Sequence, residues 1–144
     1  KAQVVGYRGS GPLLTDLMGG QVPVAFDTFD TLLPQHEAGK IRILAVSTAR
    51  RSAFAPQIPT FKEAGLDVVA DGWNAFFAPA SMPAARVQQL GDAIRDVMAE
   101  PAMQKRFLDA RMGPTSTTPA QTQAMLQAYR AQWAPVVQTS GYQP

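Results

Sequence analysis

The sequence predicts an α/β protein with a parallel-type β-α-β sheet lobe followed by a mostly helical C-terminal segment. In residues 1–70, short apolar runs rich in valine and isoleucine alternate with helical runs, and glycines separate them. In residues 71–144, apolar side chains recur at helical spacing behind proline start signals. Strands joined by short helical crossovers imply a parallel sheet, which binds ligands outside the carboxyl ends of its strands.

The elements of the first segment are bounded by turn residues. Gly19 and Gly20 end the first helix, and Gly39 ends the second. Pro23 favours an edge or first-residue position in the second strand. The predicted order is strand 3–5, helix 13–18, strand 22–26, helix 29–38 and strand 41–46.

A loop over 47–59 separates this segment from the rest. Thr60 and Glu63 have the spacing of a capping box, which predicts a short helix that Gly65 ends. Residues 66–69 and 74–78 are predicted to be extended.

The last third of the chain is predicted to form three helices. Pro83 and Pro101 begin two of them, and a second capping box at Thr118 and Gln121 begins the third. Pro135 is expected to bend or end that third helix. The predicted ranges are 83–100, 101–111 and 118–134.

Composition excludes several functional classes. The chain has 144 residues, enough for a sizeable core, and its net charge of +2 gives no basic surface for nucleic acid. No run approaches the ~20 apolar residues of a membrane span. It has no cysteine and a single histidine, His36, so thiolate zinc sites, cysteine nucleophiles and histidine metal clusters are excluded.

The stretch Tyr7-Arg8-Gly9-Ser10-Gly11-Pro12 is the strongest candidate for a binding loop. Gly9 and Gly11 remove Cβ atoms that would block a ligand, Ser10 can cap the following helix, and Pro12 suits a first turn. The positive end of the helix dipole then faces an anion such as a carboxylate. The alternative is an ordinary strand-to-helix turn that binds nothing.

Asp27 and Thr28 follow the second predicted strand, where a carboxylate can orient a ligand or a water molecule. The alternative for Asp27 is an N-cap of the next helix. No nucleophile elbow, phosphate loop or complete dinucleotide fingerprint is present, so we predict no catalytic residues, no metal and no cofactor.

A series of short motifs resembles the substrate-binding proteins of tripartite tricarboxylate transporters, the Bug or TctC family. The resemblance runs in order over essentially the whole chain. Its motifs are Tyr7-Arg8-Gly9-Ser10-Gly11-Pro12, Leu17-Met18-Gly19-Gly20-Gln21-Val22, Phe26-Asp27, Gly39-Lys40-Ile41-Arg42, Leu44-Ala45-Val46-Ser47, Pro59-Thr60-Phe61-Lys62-Glu63-Ala64-Gly65, Gly72-Trp73-Asn74, Phe77-Ala78-Pro79-Ala80 and Trp133-Ala134-Pro135-Val136-Val137.

This resemblance implies a type II periplasmic binding protein, a non-enzymatic two-lobed receptor. Such a receptor closes over a small organic carboxylate in the periplasm and delivers it to the membrane permease subunits of the transporter. The resemblance also implies that the chain is the C-terminal half of a longer protein. Residues 1–70 would then form the second lobe, and residues 71–144 the crossover and the helices that return to a mostly absent first lobe.

The ligand contacts of the family carry over onto two short segments. These residues are Tyr7, Gly9, Ser10, Gly11, Asp27 and Thr28. A clamp with one half absent is expected to bind organic acids weakly or not at all, and helices left bare are expected to cause self-association. The alternative function is an effector-binding domain of a transcription regulator with the same fold, which would follow a helix-turn-helix segment.

Overall fold

The computed structural model describes residues 3–141, and the chain divides at Gly72 into two compact units. Five of the predicted helices are present in the predicted order, and their ends differ from the predicted ones by up to six residues. The described residues contain α1 (Ser10–Met18), α2 (Phe29–Glu37), α3 (Ala84–Ala99), α4 (Pro101–Asp109) and α5 (Pro119–Ser140).

The first unit has a small core built around α2. Leu33 of α2 is completely buried, and it packs with the buried side chains of Val46, Ala55 and Ile58. Three partly buried side chains surround this cluster: Phe29, Ile43 and Phe54. The core therefore joins α2 to the segment that follows it.

The three predicted strands do not form a sheet in the described part of the chain, so that finer part of the fold prediction is not confirmed. The pairing present there is an isolated parallel bridge between Val46 and Thr60. Val46 donates its amide to the Pro59 carbonyl at 2.9 Å and accepts from the Phe61 amide at 2.8 Å. Parallel strands need cover on both faces, whereas Val4 is 95% exposed and Leu44 is 65% exposed.

The capping box at residue 60 is confirmed, but the helix predicted after it is a series of turns. The Thr60 amide donates to Glu63 Oε2 at 2.8 Å, and the Glu63 amide donates to Thr60 Oγ1 at 3.1 Å. Gly65 then adopts φ of 90° after one turn. This early change of backbone direction prevents the helix from continuing.

Arg51 adds a second partner to this capping box. Its Nε lies 3.0 and 2.9 Å from the two carboxylate oxygens of Glu63, and its Nη1 donates to the Pro56 carbonyl at 3.0 Å. These hydrogen bonds, first from Arg51 and then from the Thr60 amide, hold the pKa of Glu63 below its ordinary value. The interaction therefore stabilises the unit while the carboxylate is charged.

We expect the first unit to lose stability as the pH falls below the ordinary glutamate range and through the lowered pKa of Glu63. A lowered folded-state pKa gives stability that is present above the unfolded-state value and is lost on protonation. Glu63→Gln should flatten this acid dependence of the urea midpoint between pH 6 and 3, whereas Asp71→Asn at an exposed position should not. Equal slopes in wild type and Glu63→Gln would contradict this role.

The second unit is built on α3, which contacts both α4 and α5. Gly91 allows the start of α5 to approach closely, because a Cβ there would lie 3.2 Å from Cγ of Pro119. The second capping box is confirmed: the Gln121 amide donates to Thr118 Oγ1, and the Thr118 amide donates to Gln121 Oε1. These contacts fix where α5 begins.

The prediction for Pro135 is wrong about the end of α5. The helix continues through Pro135 to Ser140 and ends at Gly141, whose φ is 69°. A proline removes one backbone donor, and the intact turns on both sides keep the helix continuous. Within residues 3–141 no helix combines the length and the apolar character that crossing a membrane requires.

Candidate functional site

The start of α1 carries backbone amides with no acceptor. The helix begins at Ser10, and Gly9 is its N-cap with φ of 95°. The prediction that Ser10 caps the helix is wrong, because Ser10 is the first helical residue and no side chain caps α1. Within the described residues the Gly9, Ser10 and Gly11 amides have no backbone or side-chain acceptor, and Pro12 has no N–H to satisfy.

This end of the helix suits an anion. The free amides and the helix dipole together place partial positive charge at the loop. A Cβ built on Gly9 or on Gly11 meets no atom within 4 Å, so the space beside both glycines is open. The carboxylate cradle stays a prediction, and the assignment of the cap to Ser10 is wrong.

Tyr7 is held against α1. Its hydroxyl donates to Asp16 Oδ2 at 2.8 Å, and this hydrogen bond, together with burial and the Asp16 charge, raises the pKa of Tyr7. Because the phenolic proton is already donated, the ring edge and face remain for any ligand contact. Sequence reasoning did not identify Asp16 as this partner. The available signal was the position of Asp16 inside the helix that follows Tyr7, nine residues further along the chain.

Asp27 and Thr28 lie at the start of α2. Thr28 is the N-cap of that helix, so the alternative reading of Asp27 as the N-cap is wrong. Asp27 Oδ1 accepts from the Thr28 amide at 2.8 Å, and Thr28 Oγ1 lies 2.9 Å from Thr31 Oγ1. The other carboxylate oxygen, Asp27 Oδ2, is buried and has no hydrogen-bond partner among the described residues.

A buried carboxylate oxygen without a donor is costly, because it has lost water and gained nothing in return. Asp27 Oδ2 therefore has the capacity to accept one further hydrogen bond, from water or from a ligand donor. The sequence placed Asp27 at a strand end, but gave no sign that one of its oxygens is satisfied and the other is not.

The two candidate segments belong to the same unit, and no hydrogen bond within residues 3–141 joins them. The described residues contain no cluster of three or more histidine, cysteine, aspartate or glutamate side chains that could hold a metal ion. Two shallow depressions lie in the second unit, and neither is lined by a predicted site residue.

Comparison with known proteins agrees with the sequence motifs. The family model described as the tripartite tricarboxylate transporter family receptor, TctC, matches residues 2–142. A UPF0065 protein of Bordetella bronchiseptica is 34% identical over 140 residues, which cover 97% of this chain and 42% of that protein. Protein BugT of Bordetella pertussis is 30% identical over 139 residues, covering 96% and 43%.

Solved structures show the same likeness in three dimensions. The R. palustris protein Rpa4515 with adipate superposes with a TM-score of 0.86 at 31% identity, covering 95% of this chain and 46% of that one. The periplasmic binding protein BugD gives a TM-score of 0.79 at 27% identity, covering 95% and 47%. The chain thus spans less than half the length of these relatives, and it belongs to the TctC family of tripartite tricarboxylate transporter receptors.

Proposed function

We propose that this chain forms part of a periplasmic solute receptor and binds a small organic carboxylate at the start of α1. The observation that carries the proposal is the set of free amides of Gly9, Ser10 and Gly11 at an uncapped helix end. The adipate in the related R. palustris structure supports a carboxylate as the ligand class.

The strength of such a site is limited. A helix N-terminus contributes about 0.3–1 kcal/mol to an exposed anion and up to ~2 kcal/mol when partly buried. Such a contribution corresponds to weak binding, so a second group of ligand contacts is needed for useful affinity. We propose that a facing lobe supplies these further contacts when it closes over the ligand, as hinge receptors do.

Asp27 and Thr28 complete the proposed ligand shell within the first unit. A charged Asp27 repels a bare carboxylate, so its free Oδ2 suits a hydroxyl, an ammonium group or an ordered water on the ligand. Tyr7 contributes its ring, because its hydroxyl is engaged with Asp16.

The larger assembly follows from the same proposal. Residues 1–70 form the second lobe, and in the complete receptor the segments 3–5, 22–26 and 41–46 pair in a parallel sheet. Residues 71–144 form the crossover and the helices that return to the first lobe. The loaded receptor then passes its ligand to the permease subunits in the membrane.

We expect adipate to shift the amide resonances of Gly9, Ser10 and Gly11 in a 15N-labelled sample of the 144-residue chain. The dissociation constant should be roughly 30 mM or higher, because the ~2 kcal/mol that one helix end provides at most corresponds to about that value. The neutral diamide of adipic acid has the same length and serves as the control, because it lacks the charge that the helix end attracts.

Two results would contradict the proposal. Equal shifts with the diamide would show that the charge of the ligand does not contribute to binding. Adipate shifts confined to residues outside this loop and Asp27–Thr28 would show that the ligand binds elsewhere. Micromolar binding measured by calorimetry on the same chain would instead show that no second lobe is needed.

A further inference from the structure

A tyrosine and an aspartate close the loop before α1 into a ring. The Tyr7 hydroxyl donates to Asp16 Oδ2 at 2.8 Å. Asp16 is the seventh residue of α1, so it lies roughly 9 Å along the helix axis from Ser10. The Tyr7 side chain therefore reaches along α1, and its hydrogen bond fixes the direction in which the chain enters the helix.

Little else holds this loop in place. No side chain caps α1, and its N-cap Gly9 has φ of 95° with open space beside it. Among the hydrogen bonds of residues 3–141, the Tyr7–Asp16 bond is the one side-chain bond that joins the residues before Ser10 to α1. The order of the loop therefore depends on this bond more than on a helix cap.

Asp16 is a firm anchor for the bond. Its backbone carbonyl accepts from the Gln21 amide at 2.8 Å, in the turn that follows α1. Tyr7 and Asp16 are both half-buried, so water competes less for their hydrogen bond than it does at an exposed position. The same bond raises the pKa of Tyr7, so the hydroxyl keeps the proton that it donates.

The position of Asp16 does not suit α1 by itself. Asp16 lies in the last turn of that helix, where the helix dipole disfavours a negative charge. The charge is also unfavourable for an anion at the start of α1, because like charges repel. The contribution of Asp16 therefore comes from the hydrogen bond that it accepts, and not from its charge.

We infer that Tyr7 and Asp16 are positioning residues, whose hydrogen bond holds the free amides of Gly9, Ser10 and Gly11 in place before the ligand arrives. The inference rests on the proposed carboxylate site at these amides. A loop that is already ordered does not have to be ordered by the ligand, and this removes one of the costs of binding. Tyr7 then acts through its bond to α1, without donating its hydroxyl proton to the ligand.

Substitutions of Asp16 separate the hydrogen bond from the charge. Asp16→Ala removes both, and we expect the adipate dissociation constant to rise at least roughly fivefold, the factor that ordering one backbone residue costs. Loss of the charge alone would have the opposite sign, because it would tighten the binding of an anion. Asp16→Asn removes the same charge but keeps an oxygen that accepts from Tyr7, so it should bind adipate at least as tightly as the wild-type chain.

Substitution of Tyr7 tests the other end of the bond. Tyr7→Phe keeps the ring and should also weaken adipate binding at least roughly fivefold. It should add little to Asp16→Ala, because both changes break the same bond. A hydroxyl that contacted the ligand directly would add its full effect in that background. Tyr129→Phe, in the second unit, is the matched control. The initial slope of the loop amide shifts against adipate concentration, at constant ionic strength, compares these variants.

A measurement without ligand separates this inference from the proposed function. The 15N heteronuclear Overhauser effect of the Gly9 and Gly11 amides reports their motion on the picosecond to nanosecond timescale. We expect it to fall in Tyr7→Phe and Asp16→Ala but not in Asp16→Asn, while the Val46 amide in the parallel bridge stays unchanged. Absence of adipate shifts at the loop of the wild-type chain would overturn the carboxylate site. Unchanged loop order in all three variants, or tighter adipate binding by Asp16→Ala, would overturn the positioning role.

Discussion

Leu33→Ala is expected to lower the free energy of unfolding of the first unit by about 2–5 kcal/mol. Leu33 is completely buried, and the other buried apolar side chains of the described part of this unit are Val46, Ala55 and Ile58. A core of this size has few atoms that can move into a cavity, so the loss belongs in the upper part of that range. Leucine-to-alanine substitutions cost most where the surroundings collapse least.

Amide exchange at Val46 and Phe61 measures this loss directly, because both amides donate in the parallel bridge beside the core. Trp73 and Trp133 belong to the second unit, so their fluorescence reports on that unit in the same urea titration. Leu44→Ala is the matched control: the same atoms are removed at a side chain that is 65% exposed, and the expected change is within about 0.5 kcal/mol. Similar losses for the two substitutions would show that Leu33 is not the centre of the core.

The helices could be predicted because their signals are local. Pro101 and Pro119 start helices, two capping boxes form as the spacing indicates, and Gly19 and Gly39 lie just past helix ends. Each of these signals acts within one turn of the residue that carries it. Pro135 failed as a stop signal because a long helix tolerates the loss of one hydrogen bond.

The sheet could not be established in the same way, because strand pairing depends on residues far apart in the sequence. The apolar runs at 22–26 and 41–46 predict strands that need to be covered, but they do not show which residues cover them. The unpaired carboxylate oxygen of Asp27 could not be predicted for the same reason. Whether that oxygen finds a donor depends on which residues the fold brings near it, and no spacing in the sequence encodes this. The loop at Gly9 was predictable because glycines and a helix start are adjacent in sequence.

Gly9→Ala and Gly11→Ala are expected to separate the backbone strain of the loop before α1 from its proposed role in ligand binding. Gly9 has φ of 95°, a conformation that alanine rarely adopts, so Gly9→Ala should destabilise the first unit by about 1–3 kcal/mol. Gly11 lies inside α1 without a positive φ, and Gly11→Ala should leave stability unchanged or raise it by up to about 1 kcal/mol. In both cases the new Cβ meets no atom within 4 Å, so steric clash does not contribute.

The effect of Gly11→Ala on binding rests on the proposed carboxylate site. The methyl group would stand in the open space beside the free amides of the α1 start, where we place the ligand carboxylate. We therefore expect the adipate dissociation constant from the amide-shift titration to rise by roughly fivefold or more, the factor that corresponds to about 1 kcal/mol. Unchanged binding in a fully folded Gly11→Ala chain would mean that the loop is a connector, because a carboxylate held by the Gly11 amide has to approach within hydrogen-bond distance of that backbone.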